Sequence, residues 1–220
     1  MRTNQLVAQL AGEATPVRVL ARPWTRAVFW TAVGSVYLTV LVVAVSLRDD
    51  FGVRVRDPWF VTEQLAALAT GVTAAAAAFA SVVPGYRRDI VLLPLASLAA
   101  WLAIVTVQAL PEFQTGGAAM VGADWRCVAA ILVGSAVPAG TMFTMIRRGA
   151  PLSPRPTAGL GALAAAGLGN LGICLFHPHN SSAIILFWHC GAVLALSAAA
   201  MFVGARFLRW PVARSLTAVS

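Results

Sequence analysis

The sequence contains no lysine. All sixteen of its basic residues are arginine, set against eight acids in 220 residues, and only 11% of the chain is charged while 59% is hydrophobic. So little charge and so much apolar surface invert the signature of a disordered chain. The same numbers, with a mean hydropathy of +0.79, do not describe a soluble globule. Three cysteines are too few for a disulfide scaffold. The net charge of +8 would suit a nucleic-acid partner if it were gathered on one surface. Instead the arginines stand in short clusters between apolar runs, the pattern of a membrane protein read by its loops, so no direct nucleic-acid contact is expected.

A helix needs about 20 mainly apolar residues to cross a hydrocarbon core of about 30 Å. Six runs of that kind occur, over 28–47, 59–83, 90–110, 127–146, 157–176 and 184–203. The first is too long for a signal-peptide core and has 27 residues ahead of it, so it reads as a span. The N-terminal tail, the second and fourth connections and the C-terminal tail carry twelve arginines, and the alternate connections carry four. Those alternate connections also hold Asp49, Asp50, Asp57, Glu112 and Asp124. By the positive-inside rule both termini are expected in the cytoplasm, which an even number of spans also requires. The expected fold is all-α: a tail over 1–27, a six-helix transmembrane domain over 28–203 and a short tail over 204–220.

Within the fifth span Gly161, Ala165 and Gly169 recur every four residues on one helical face. Small residues in that register let a second helix come close, so this span is expected inside the bundle. Gly167, Gly169 and Gly172 spell a formal G-x-G-x-x-G, but they lie in an apolar helix with no preceding strand and are no nucleotide loop. Asn180-Ser181-Ser182 matches a glycosylation sequon too short and common to carry weight.

Almost no charge lies at membrane depth. Glu63 falls near one end of its span, and only Gln64, Gln108 and Asn170 add strongly polar side chains, which read as interhelical hydrogen bonds. A pump or proton-coupled transporter places ionisable groups at depth, so transport is the weaker reading. The cysteines and histidines carry more chemistry. Cys127 opens the fourth span, Cys174 closes the fifth, His177 and His179 follow it, and His189 with Cys190 lies early in the sixth. All six fall near the non-cytoplasmic face. Thiols and imidazoles there suit a soft-metal or redox site, with Cys127, Cys174 and His177 the candidate ligand set. The plain alternative is packing, since cysteine is common in apolar helices. No two histidines lie in different spans at matched depth, which argues against haem.

The tail before the first span has a start signal at Thr3 or Asn4 and an apolar stripe of Leu6, Val7 and Leu10, with Gln5, Gln9 and Glu13 outside it. Pro16 ends that helix, and Val17 and Leu20 continue an apolar edge to Pro23. A helix this short is marginal alone, so it is held either by the membrane surface or by a bound protein.

Several short motifs occur in order along nearly the whole chain. They are Asn4-x-Leu6 with Leu10-Ala11, Pro16-Val17, Leu20 and Pro23; Asp57-Pro58 with Phe60; Val83-Pro84-Gly85 with Arg87 and Arg88; Asp124-Trp125-Arg126-Cys127; Arg147-Arg148-Gly149-Ala150-Pro151-Leu152; and His177-Pro178-His179-Asn180-Ser181 with Trp188-His189. Together they resemble the NrsF-type membrane anti-sigma factors. The resemblance implies a multi-pass protein of the bacterial inner membrane, with no enzymatic activity and no resident cofactor. Such a protein holds an extracytoplasmic-function sigma factor inactive at the cytoplasmic face and releases it on envelope, metal or redox stress. It also implies a partner-binding set of Leu6, Val7, Leu10, Pro16, Val17 and Leu20, and outer-face cysteines that sense stress through transient heavy-metal binding or oxidation. Cys127 matches the first family cysteine. Where the second stands in the family, just before the proline of the fifth connection, this chain has His177-Pro178, which leaves Cys174 or Cys190 as replacements beside His177, His179 and His189. The alternatives are a small transporter and a membrane-embedded redox or metal-handling protein.

Overall fold

The computed structural model describes residues 3–13, 20–86, 88–116, 125–149, 151, 153–177 and 181–208. It is helical, with no strand among the described residues. A short helix, α1 (Thr3–Glu13), precedes the first long one, α2 (Pro23–Val45). Then come a single-turn α3 (Phe51–Arg54), α4 (Pro58–Ala80), α5 (Leu92–Gln114) behind a 3₁₀ turn at Arg88–Val91, α6 (Trp125–Arg147) and α7 (Pro154–Phe176). The last long helix is composite: α8 (Ser182–Ile184), a π-helical turn over Ile185–Cys190, and α9 (Gly191–Leu208). Six of these helices are long and apolar enough to cross a membrane.

Local chemistry sets the helix starts. α2, α4 and α7 each begin with proline in the first turn, where the missing N–H would have no helical partner anyway. This places the start of α2 at Pro23, five residues before the apolar run that hydropathy picks out. Asp57 caps α4 by accepting the Trp59 N–H at 3.0 Å. α5 runs on past its apolar run to Gln114 through Pro111.

The bundle is built around α7. In its apolar window 72% of residues are buried, and in that of α4 61%, against 17% in α2 and 22% in α5. α7 packs on α4, α6 and α9. The close approach to α6 depends on glycine: a Cβ on Gly169 would sit 2.9 Å from the Ile131 carbonyl oxygen and 2.9 Å from the Ser135 nitrogen. Gly134 faces it, with a Cβ there only 3.2 Å from the Gly169 oxygen. The small-residue stripe thus does what its spacing predicts. Polar anchors fix the outer helices to this centre: the Trp30 indole N–H donates to the Pro138 carbonyl at 2.9 Å, and the Tyr37 hydroxyl to the Val133 carbonyl at 2.7 Å.

The bundle has two ends of different character. The tail end is where α2, α7 and the 3₁₀ turn begin and where α4, α6 and α9 finish. The far end carries α3 and the starts of α4, α6 and α8.

Candidate functional site

At the far end, polar side chains are drawn into the bundle. Arg48, in the link after α2, is buried with its side chain 2% exposed. Its main-chain N–H donates to the Leu175 carbonyl at 3.1 Å and its Nη1 to the Cys174 carbonyl at 3.4 Å, so a cation covers the last carbonyls of α7. Its Nε and Nη2 grip both oxygens of Asp50, a forked pairing that neutralises the buried charge. Hydrogen bonding from Arg48 holds the Asp50 carboxyl below its ordinary value, and Arg54 adds a second donor to it.

Next to this pair lies a cavity of about 60 Å³, bordered by Arg48, Glu63, Gln64, Gln108, Cys174 and Ser181. A water needs about 10–15 Å³ of such space, so the cavity is small and polar. Glu63 is buried, with Gln108 Nε2 donating to its Oε2 at 3.4 Å and its Oε1 without a hydrogen-bond partner. The expected interhelical bond forms for Gln108, while the Gln64 amide is buried beside the cavity, next to the Cys174 thiol of α7.

The sixth span starts on this same end. Glu112, which the sequence offers only as an acid of a connection, caps α8: its carboxylate accepts the Ser182 N–H at 2.7 Å, the Ala183 N–H at 3.2 Å and the Ser181 hydroxyl. A carboxylate on free N–H groups at a helix start is favourable both by hydrogen bonding and by the helix dipole. The π turn that follows is pinned by aromatic pairs, Phe113 with Phe187 at 6.1 Å and Trp125 with Trp188 at 5.4 Å between ring centres. One wide turn rotates the helix face beyond it, a feature often found at functional sites. Here it carries His189 and Cys190 into the core.

Asn170 and Cys174 are one turn apart on α7, on the face that meets His189. His189 Nδ1 lies 2.7 Å from Asn170 Oδ1 and 4.0 Å from Cys174 Sγ. An amide oxygen accepts, so with this amide orientation Nδ1 carries the proton. Cys127, Cys174 and Cys190 are all buried, and none is in a disulfide. Cys127 lies one heptad from Gly134, and Phe176 one heptad from its contact Gly169. In antiparallel helices this sets Cys127 level with the last turn of α7, within about one turn of Cys174 in height. The expected ligand set of Cys127, Cys174 and His177 is not what the structure gathers: Cys174 turns to His189, which is itself bonded to Asn170. Among the described residues no three of His, Cys, Asp and Glu form a group that could hold a metal ion. His177 is half-buried at the end of α7, and His179 lies outside the described residues.

At the tail end, every residue of α1 is exposed, Leu6, Val7 and Leu10 among them. Pro16 and Val17 lie outside the described residues. Leu20 belongs to the bundle as much as to the tail. It leans over the turn after α6, where a Cβ on Gly149 would come within 3.3 Å of its Cδ1.

The model of a family described as negative regulator of sigma F matches residues 10–210. The chain belongs to that family. The matched stretch takes in all six long helices and the whole far-end cluster, and it starts at Leu10, the last residue of the α1 stripe. No curated protein and no solved structure matches the chain. Membership assigns a regulatory task, the restraint of a sigma factor, to a bundle with six helices long and apolar enough to cross a membrane.

Proposed function

We propose that this protein is an inner-membrane anti-sigma factor that holds an extracytoplasmic-function sigma factor at the cytoplasmic face through α1. The observation that carries the reading is α1 itself: an amphipathic helix of eleven residues with none buried, in a family that restrains a sigma factor. A helix of that length is marginal in water, and an exposed Leu6, Val7 and Leu10 stripe suits a hydrophobic groove on a partner. The tail end faces the cytoplasm in this reading, because that is where twelve of the sixteen arginines fall. The far end then faces outward, with Cys174, His189 and Asn170 beneath it on the two helices best placed to relay a change. Altering that contact, by oxidation of the thiol or by a soft metal, would shift α7 against α9 and so bias a two-state bundle toward release.

Two experiments test this. Replacing Leu6 and Leu10 together by Asp is expected to abolish co-purification of the sigma factor while the bundle still inserts and folds. Retention at unchanged affinity would move the contact elsewhere. Reporter fusions after Arg88 and Arg155 are expected to score cytoplasmic, and fusions after Asp57 and Gln114 outside; reversal at any one of the four breaks the orientation.

A further inference from the structure

The tail end holds a second cavity, of about 360 Å³, between the start of α2 and the end of α6. Its walls are Leu20, Thr25, Arg26, Phe29, Met145 and Arg148, and no acidic residue lines it. Arg26 is 6% exposed. Its guanidinium lies over the Phe79 ring, 4.4 Å from the centroid, and its Nη2 donates to the Met145 carbonyl. Its Nη1 is buried with no hydrogen-bond partner. Arginine stays charged in proteins, so a buried N–H of this kind calls for an acceptor, and the guanidinium places a positive charge beside the cavity that Arg26 lines. The helix beside it starts without a side-chain cap: Arg22 at the N-cap of α2 makes no such bond, and Thr25, in the first turn at the positive end of this 23-residue helix, lines the cavity. Arg148 adds a second, exposed cation at the rim. On the bundle's outer surface the cavity continues into apolar side chains, with Phe29 60% exposed one turn deeper along α2 and Trp24 43% exposed at the level where tryptophan marks a membrane interface.

We propose that this cavity binds the phosphate of an anionic phospholipid headgroup. Two arginines and a bare helix start meet the phosphodiester, and Phe29 lies along the acyl chains. Basic pockets between membrane helices on the cytoplasmic side have the chemistry to hold anionic lipids. A zwitterionic headgroup is rejected because its ammonium would face Arg26 and Arg148, and a free phosphate gains nothing from the apolar wall. The inference rests on the six helices crossing a membrane and is independent of the sigma-factor reading. Its position is consequential, because the site lies at the root of the tail.

The test uses the full chain in neutral detergent. The midpoint of heat unfolding is followed while phosphatidylglycerol, phosphatidylcholine or inorganic phosphate is titrated in. Phosphatidylglycerol is expected to raise the midpoint saturably, and the other two to leave it in place at equal concentration. Arg148→Ala should weaken the apparent affinity for phosphatidylglycerol about fivefold, and Arg148→Glu more than that, whereas Arg155→Ala, at an exposed arginine of the same end that does not line the cavity, should not. Arg26→Gln should abolish the response; because it also loses a buried tie to Met145, Arg148 is the variant that decides if that protein does not fold. An equal response to phosphatidylcholine or to inorganic phosphate would overturn the proposal, as would equal weakening by Arg155→Ala. Loss of sigma-factor capture in Arg148→Ala with lipid affinity unchanged would give the arginine to the partner and overturn it as well.

Discussion

The two ends of the bundle solve the same problem in opposite ways. At the far end, Arg48 is buried and both of its faces are satisfied, by Asp50 on one side and the last carbonyls of α7 on the other. Glu112 is spent on the first N–H groups of α8. At the tail end, Arg26 is buried with one nitrogen unmet, α2 starts without a side-chain cap, and α1 stands exposed along its whole length. A buried arginine whose hydrogen bonds are all met ties its own bundle together, whereas one with an unmet nitrogen is chemically disposed to take a partner. The contrast also teaches that burial of an arginine says little until its hydrogen bonds are counted.

The sharpest way to break the contrast is at α1. Leu6→Asp with Leu10→Asp removes burial of roughly 1.5–3 kcal/mol for each side chain in a partner groove, so sigma-factor affinity should fall at least ~100-fold in a binding assay. The unfolding midpoint of the bundle should not move, because neither residue packs on it. Next in size is Gly169→Leu, in the helix that joins the two ends. The new side chain meets the backbone of α6 at 2.9 Å, which cannot give way as a side-chain tip would. Overpacking of this kind costs about 1–3 kcal/mol or more, and denaturant titration should show both ends loosening together.

Glu112→Ala tests the far end alone. It strips two N–H groups of α8 of their acceptor and should cost about 0.5–2 kcal/mol. Hydrogen exchange should speed up over 182–190 and leave the start of α2 unchanged; equal acceleration at both ends would mean the ends are not independent. The smallest effect is the pH response of Asp50. Its carboxyl is held below the ordinary value of 3.8 by Arg48, so in the folded state it releases its proton more readily than when unfolded. Its contribution is therefore fully present above that ordinary value and is lost as pH falls through the lowered one. Acid titration of unfolding should show this loss, and Asp50→Asn should remove it, with Arg48 then left as a buried charge without its carboxylate.

How much of this was readable beforehand differs by residue. The six spans, and the inward face of Gly161, Ala165 and Gly169, follow from length, hydropathy and period, since these are properties a helix has before it packs. The start of α2 lies five residues ahead of its apolar run, because Pro23 begins a helix where hydropathy has not yet risen. Cys174 and His189 are both candidates in the sequence, but their meeting with Asn170 is not legible there, because the π turn that swings His189 inward leaves no trace in hydropathy. The arginines are the plainest case. Arg26, Arg48 and Arg148 each enter the arginine tally only as one charge at a helix end, yet one is buried and half-met, one is buried and fully paired, and one is exposed.

Composition and spacing alone determined that this chain is a helical bundle, how many of its helices are long and apolar enough to cross a membrane and which helix lies at its centre, because a bilayer and close packing act on every residue in proportion to its own apolarity and size. Only the tertiary structure decided which polar groups meet. Glu112 with α8, Arg48 with α7 and His189 with Asn170 join residues 19 to 126 positions apart, and hydrogen bonds are decided by distances of a few tenths of an ångström that a sequence does not carry.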